Sequence, residues 1–178
     1  VNDFVITPNS TWHEHGVEAG GKTCIWQDGL DIPLVNALEA NDYAVYDGTQ
    51  PLTAPINHSP MTYGGTGLIP PDKEWNKPYS PLFKYSWKTV YPALLEAEKV
   101  NDVNIFDGII MQYSNPLTGG HVMQTMGASI QLLPKGFKGK AHKHTGSFVY
   151  QCAKGKGYTI INGKRFDWKE RDIFCVPS

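Results

Sequence analysis

The sequence predicts a mainly β protein, and three observations predict it. Thirteen prolines and 18 glycines punctuate the 178 residues, so long helices have little room. From Asn104 onward, short β-rich runs alternate with Gly, Pro and Asn-Gly turns. One stretch alone, Lys88–Val100, carries a helical period.

Taken in order, residues 1–8 form a short β-type run ended by Pro8, and Lys22–Trp26 is a second candidate strand closed by the Asp28-Gly29 turn. Ile32–Leu38 has room for a helical turn, limited by Pro33. Seven prolines and the Gly64-Gly65-Thr66-Gly67 cluster make residues 48–81 an irregular excursion. In Lys88–Val100, Val90, Leu94 and Leu95 recur at helical spacing, Thr89 is placed to cap, and Pro92 falls in the expected first turn. Strands follow at 105–113, 128–133, 146–151, 157–161 and 173–176, with Asn162-Gly163 as a hairpin turn between two runs. Evenly spaced short strands of this kind read as a sandwich or barrel.

Forty per cent hydrophobic content with 12% aromatics excludes wholesale disorder, and no apolar run is long enough to span a bilayer. The net charge of −1 offers no general attraction for nucleic acid or acidic membranes, so neither is expected as a partner. The charge is divided, with −8 over residues 1–134 and +7 over residues 135–178, the latter read as solvated strand faces and turns. Cys24, Cys152 and Cys175 are odd in number and far apart, which argues against a disulfide framework or a thiolate zinc site and for a reducing compartment. His58 and His121 read as surface residues, the aromatic set Trp75, Tyr79, Phe83, Tyr85 and Trp87 as packing, and Gly155-Lys156-Gly157 as a turn.

Four of the six histidines form two close pairs. In a strand, His142 and His144 project to the same face, which supplies two neighbouring ligands to a metal. Gly136 precedes His142 by a five-residue gap, and this G-x5-H-x-H resembles the first motif of the cupin barrel. The cupin glutamate ligand belongs near position 148, which is Phe148 here. Any metal set is therefore expected to be all-histidine, which suits an Fe(II) that activates oxygen. The second pair, His13 and His15, follows Pro8 with a spacing that resembles the second cupin motif, G-x5-P-x-G-x2-H, Asn2 and Ser10 standing in for its glycines.

The second half-motif comes first in the chain. Moreover, the tail Arg171-Asp172-Ile173-Phe174-Cys175-Val176-Pro177 echoes Asn2-Asp3-Phe4-Val5-Ile6-Thr7-Pro8. The order predicts an internal repeat seen through a window: the end of one barrel, a linker and most of a second, with a further histidine about four residues beyond Ser178. A circularly permuted single cupin using His142, His144 and His13 at one metal is the alternative.

Longer segments resemble the gentisate 1,2-dioxygenase group of bicupin ring-cleaving dioxygenases, which includes salicylate and 1-hydroxy-2-naphthoate dioxygenases. They are Trp12-His13-Glu14-His15-Gly16, Trp26-Gln27-Asp28-Gly29-Leu30-Asp31-Ile32-Pro33, Ser80-Pro81-Leu82, Tyr85-Ser86-Trp87, Asn115-Pro116-Leu117-Thr118-Gly119-Gly120 and His142-Lys143-His144-Thr145. The resemblance implies cupin (double-stranded β-helix, jelly-roll) barrels in a bicupin arrangement with one linker helix. It places the end of the N-terminal barrel at 1–35, the linker at 36–103 with its helix near 89–99, and most of the C-terminal barrel at 104–178. It implies that His13 is an Fe(II) ligand of the first barrel, whose H-x-H would lie upstream of Val1. His15 and Asp28 become catalytic and substrate-contacting groups, and His142 and His144 metal ligands of the second barrel. The implied reaction is cleavage of gentisate or a related hydroxybenzoate by O2 between its carboxyl- and hydroxyl-bearing carbons, in a cytoplasmic homotetramer. A non-catalytic bicupin that binds a small carboxylate or sugar is the alternative of a different class, and a metal-dependent isomerase or decarboxylase a third.

Overall fold

The computed structural model describes residues 2–65 and 67–178. Val1, in the first predicted run, and Thr66, in the glycine-rich cluster, lie outside them. The protein is mainly β with few helices. In chain order the elements are β1 (Phe4–Val5), α1 (Ile32–Ala37), α2 (His58–Tyr63), β2 (Lys84–Tyr85), α3 (Trp87–Val100), β3 (Ile109–Gln112), β4 (Ser129–Leu132), β5 (Phe148–Gln151), β6 (Lys156–Ile161), β7 (Lys164–Lys169) and β8 (Ile173–Val176). Four antiparallel pairs result: β1 with β2, β3 with β4, β5 with β8, and β6 with β7.

The β6–β7 hairpin turns at Asn162-Gly163, both at positive φ (+48° and +76°), as a type I′ turn requires. The other pairings join segments far apart in sequence. Phe4 pairs with Tyr85, and Phe148 with Val176.

Two core clusters pack the elements from β1 to β4. Ile6, Leu82, Tyr85 and Val122 form one, with Phe4, Tyr63, Val90 and Tyr113 against it. Leu94 and Ala97 of α3 form the other with Ile109, covered by Ile130 and Leu132. Helix α3 borders both, with Val90 against the first and Leu94 and Ala97 in the second. Residues 13–30 are exposed throughout, and Ile25 (92%) and Tyr43 (86%) lie open to solvent.

Buried polar groups are wired as well as packed. Tyr85 Oη donates to the Ser114 carbonyl at 2.7 Å. With that proton committed, the Ser80 hydroxyl donates to Tyr85 Oη at 3.0 Å, while Ser80 Oγ accepts from Leu82 N–H at 3.0 Å. The result is a directed chain from Leu82 through Ser80 and Tyr85 to Ser114. Burial raises the Tyr85 pKa, and the hydrogen bond from Ser80 partly offsets it.

Several expectations are corrected. Lys22–Trp26 forms no strand and joins no ladder among the described residues. The 48–81 excursion contains a short helix, α2, opened by Asn57 in the left-handed conformation, with Pro60 near its start. The long helix starts at Trp87 with Ser86 as its cap residue, so Thr89 sits inside the first turn and Pro92 beyond it. Its N-terminal amide is capped from a distance: Asp3 Oδ1 accepts from Trp87 N–H at 2.9 Å. Local cap spacing cannot reveal such a long-range partner. His142 and His144 precede β5 rather than lying in a strand, because only residues from Phe148 onward have a facing partner in β8.

The echo between the chain's two ends is structural. Asn2 and Arg171 both have positive φ, +64° and +75°. The following aspartates both accept a backbone amide, Asp3 from Trp87 and Asp172 from Lys169. Strands β1 and β8 come next.

Candidate active site

The first histidine pair hangs from a tight turn. Thr11 N–H and Thr11 Oγ1 both donate to the Pro8 carbonyl, and Ser10 takes φ +56°. Asn2 and Ser10, the residues in the two glycine positions of the motif, thus both adopt the backbone that ordinarily favours glycine. From this turn the chain runs out through Trp12 to His13 and His15, whose ring centroids are 5.6 Å apart. Trp26 closes over His15 at 4.9 Å, and Asp28 is exposed two residues further on. Trp12 packs edge-on against Tyr46 at 5.2 Å.

The second pair is similar in kind. His142 and His144 have ring centroids 5.4 Å apart. Phe106 meets His142 at 5.1 Å, and Phe148 meets His144 at 4.3 Å. An apolar ring therefore stands beside the imidazole where the cupin motif would bring a carboxylate.

Three of these histidines share a pattern, with Nδ1 within hydrogen-bond reach of a nearby backbone carbonyl. His13 Nδ1 lies 3.2 Å from the Thr11 carbonyl, His142 Nδ1 3.4 Å from that of Lys140, and His144 Nδ1 3.2 Å from that of Gly146. A carbonyl only accepts, so the tautomer that makes this bond donates from Nδ1 and presents its lone pair at Nε2. That is the arrangement of a metal-ligating imidazole held by a backbone partner.

The donor set fits a divalent first-row metal in kind, since neutral imidazoles suit iron among others. Among the described residues, no three His, Cys, Asp or Glu side chains converge. The single three-histidine site of the permuted alternative is likewise not assembled among them.

Sequence reasoning missed two features. Trp26 appears there only as a motif letter, although its place beside His15 follows once the two segments meet. Thr125, which bonds Asp31, carries no local signal at all.

No protein-family model matches the chain. Known proteins do match it, from end to end. Gentisate 1,2 dioxygenase 1 of Aquipseudomonas alcaligenes is 38% identical over 179 residues, covering 100% of this chain and 51% of that protein. The chain is a relative of the gentisate 1,2-dioxygenases. The 5-aminosalicylate 1,2-dioxygenase of Comamonas sp is 35% identical, covering 99% of this chain and 46% of that protein. This chain thus spans about half the length of the curated relatives it matches. Among solved structures, the salicylate 1,2-dioxygenase of Pseudaminobacter salicylatoxidans superposes with a TM-score of 0.65 at 26% identity, covering 83% of this chain and 44% of that one. A mutant of that enzyme solved in complex with gentisate gives a TM-score of 0.66 at 25% identity, covering 83% of this chain and 43% of that one. No helix among the described residues is long and apolar enough to cross a membrane.

Proposed function

We propose that the chain is part of an Fe(II)-dependent dioxygenase that opens the ring of gentisate or a related hydroxybenzoate with O2. The observation that carries this reading is His13, whose Nδ1 is held by the Thr11 carbonyl so that Nε2 is free to ligate. It lies in a chain related along its whole length to proteins named as such dioxygenases.

In this reading His13 contributes one ligand to the iron. The ion, when bound, supplies a common anchor for the substrate's carboxylate and hydroxyl and for O2, removing most of the entropic barrier to their encounter. The other tasks fall to side chains of this chain. His15 and Asp28 contact the substrate and hold or move its phenolic proton, and Trp26 shields the His15 ring from water on one side. His142 and His144 form the corresponding ligand pair of a second barrel.

The domain plan belongs to the same reading: the end of one cupin barrel at 1–35, a linker at 36–103 and most of a second barrel at 104–178. The twin geometry at Asn2 and Arg171 supports it, as do the apolar side chains left open on β5, β6 and β8, which suit the inner faces of a barrel. We assign the whole protein to the cytoplasm as a homotetramer, without nucleic-acid or membrane partners.

Elemental analysis of the full chain, paired with the near-UV absorbance and oxygen uptake of added gentisate under air, tests the proposal. The expected result is about one iron or more per subunit and a new product band, both diminished in His13→Ala. Iron without product would move the substrate to another aromatic hydroxy acid. Neither metal nor product after anaerobic Fe(II) loading would leave a binding barrel and overturn the enzyme.

A further inference from the structure

Asp31 occupies the N-terminal cap position of α1, where an aspartate ordinarily accepts a hydrogen bond from the second or third helical amide. Here the side chain makes no cap bond. The Leu34 and Val35 amides are taken by the Asp31 main-chain carbonyl, at 2.9 and 3.1 Å. The carboxylate instead accepts from the hydroxyl of Thr125, 94 residues away. Thr125 is the donor, its hydroxyl hydrogen directed at Asp31 Oδ2.

The next residue adds a second point of contact. The terminal methyl of Met126 lies 3.9 Å from where a Cβ on Gly29 would stand, which places it close to the loop. Residues 13–30 are exposed and have no strand partner among the described residues, and Asp31 is the first half-buried residue after Thr11. A segment with so few contacts keeps its conformational freedom unless particular bonds hold it. The same segment carries Trp26, against His15, and Asp28.

We propose that Thr125 is a positioning residue of the aromatic-acid site. Through Asp31, and with Met126 close to Gly29, the stretch between β3 and β4 sets where Trp26 stands against His15 and where Asp28 lies two residues further on. A barrel that follows in sequence thereby shapes the site of the barrel before it. This inference rests on the function proposed above.

Thr125→Val in the full chain keeps the shape and removes the donor, whereas Thr125→Ser keeps the donor. The expected result is faster amide exchange over residues 28–35 in the valine variant and a fall in kcat for gentisate of about tenfold or more, with a smaller change in KM, because misplaced groups cost turnover more than capture. The serine variant restores both. Unchanged exchange over 28–35 in Thr125→Val overturns the tether. Faster exchange with unaltered kcat overturns the positioning role, as does a serine variant as slow as valine despite restored exchange. Amide exchange needs no substrate. A wild-type chain that consumes no hydroxybenzoate while exchange responds as expected would therefore overturn the functional reading and the positioning role with it, leaving the tether as a fold contact.

Discussion

Asn2 and Arg171 stand at opposite ends of the chain and share one backbone conformation, φ +64° and +75°, each followed by an aspartate that accepts a main-chain amide and then by a strand. Left-handed backbone costs an L-residue roughly 1–2 kcal/mol, less for asparagine, whose short side chain tolerates it. Arginine lacks that relief. Arg171→Gly is expected to stabilise the fold by up to about 1 kcal/mol, after the extra chain entropy glycine loses on folding. Arg171→Val is expected to destabilise it, because a β-branched side chain tolerates this backbone least. Urea denaturation of the full chain and both variants checks the opposite signs.

The directed chain from Leu82 through Ser80 and Tyr85 to Ser114 predicts a disproportionate effect of one oxygen atom. Tyr85→Phe leaves the fully buried Ser80 hydroxyl without its acceptor and the Ser114 carbonyl without its donor. The expected loss is about 1–3 kcal/mol, the desolvation cost of stranded polar groups. Chemical denaturation reads it, and retained near-UV circular dichroism shows that the aromatic cluster still packs.

Tyr113 packs between Phe4 and Tyr85, at 4.6 and 5.3 Å between ring centroids. Burial pushes its pKa from 10.0 up to about 12. Above pH 10 the unfolded chain therefore gives up this proton while the folded chain retains it. The associated stability is fully present below pH 10 and is lost as pH rises toward 12, by at most about 3 kcal/mol. Tyr85 shifts in the same direction. Denaturation midpoints at pH 9, 10 and 11 are expected to fall, and to fall less in Tyr113→Phe.

Gly157 pairs with Trp168 across the β6–β7 ladder, and a Cβ at that position would run into the six-membered ring of the indole. The ring is anchored, since Trp168 Nε1 donates to Thr159 Oγ1 at 3.0 Å. Gly157→Ala is therefore expected to destabilise the fold by about 1–3 kcal/mol, the usual cost of overpacking. Loss of the indole's near-UV signal together with a lower urea midpoint would show that the ring has moved. An unchanged midpoint would contradict the packing.

The sequence by itself determined much of this protein. The Asn162-Gly163 hairpin, the strand runs after residue 104 and the helix ending at Val100 were legible, because turn chemistry and side-chain period act over a few residues. The repeated end motif was legible in its aspartate and the β-type run after it, while the shared positive φ of Asn2 and Arg171 was not, since the two letters differ. Only the tertiary structure decided what depends on distant partners. Lys22–Trp26 has strand composition but pairs with no strand among the described residues. Asp3 caps a helix more than eighty residues away, while Asp31 forgoes its own helix for Thr125. The histidine pairs were visible as letters, but the partners of their rings were not. Backbone carbonyls are brought beside Nδ1 of His13, His142 and His144 by the path of the chain, and composition carries no trace of that path.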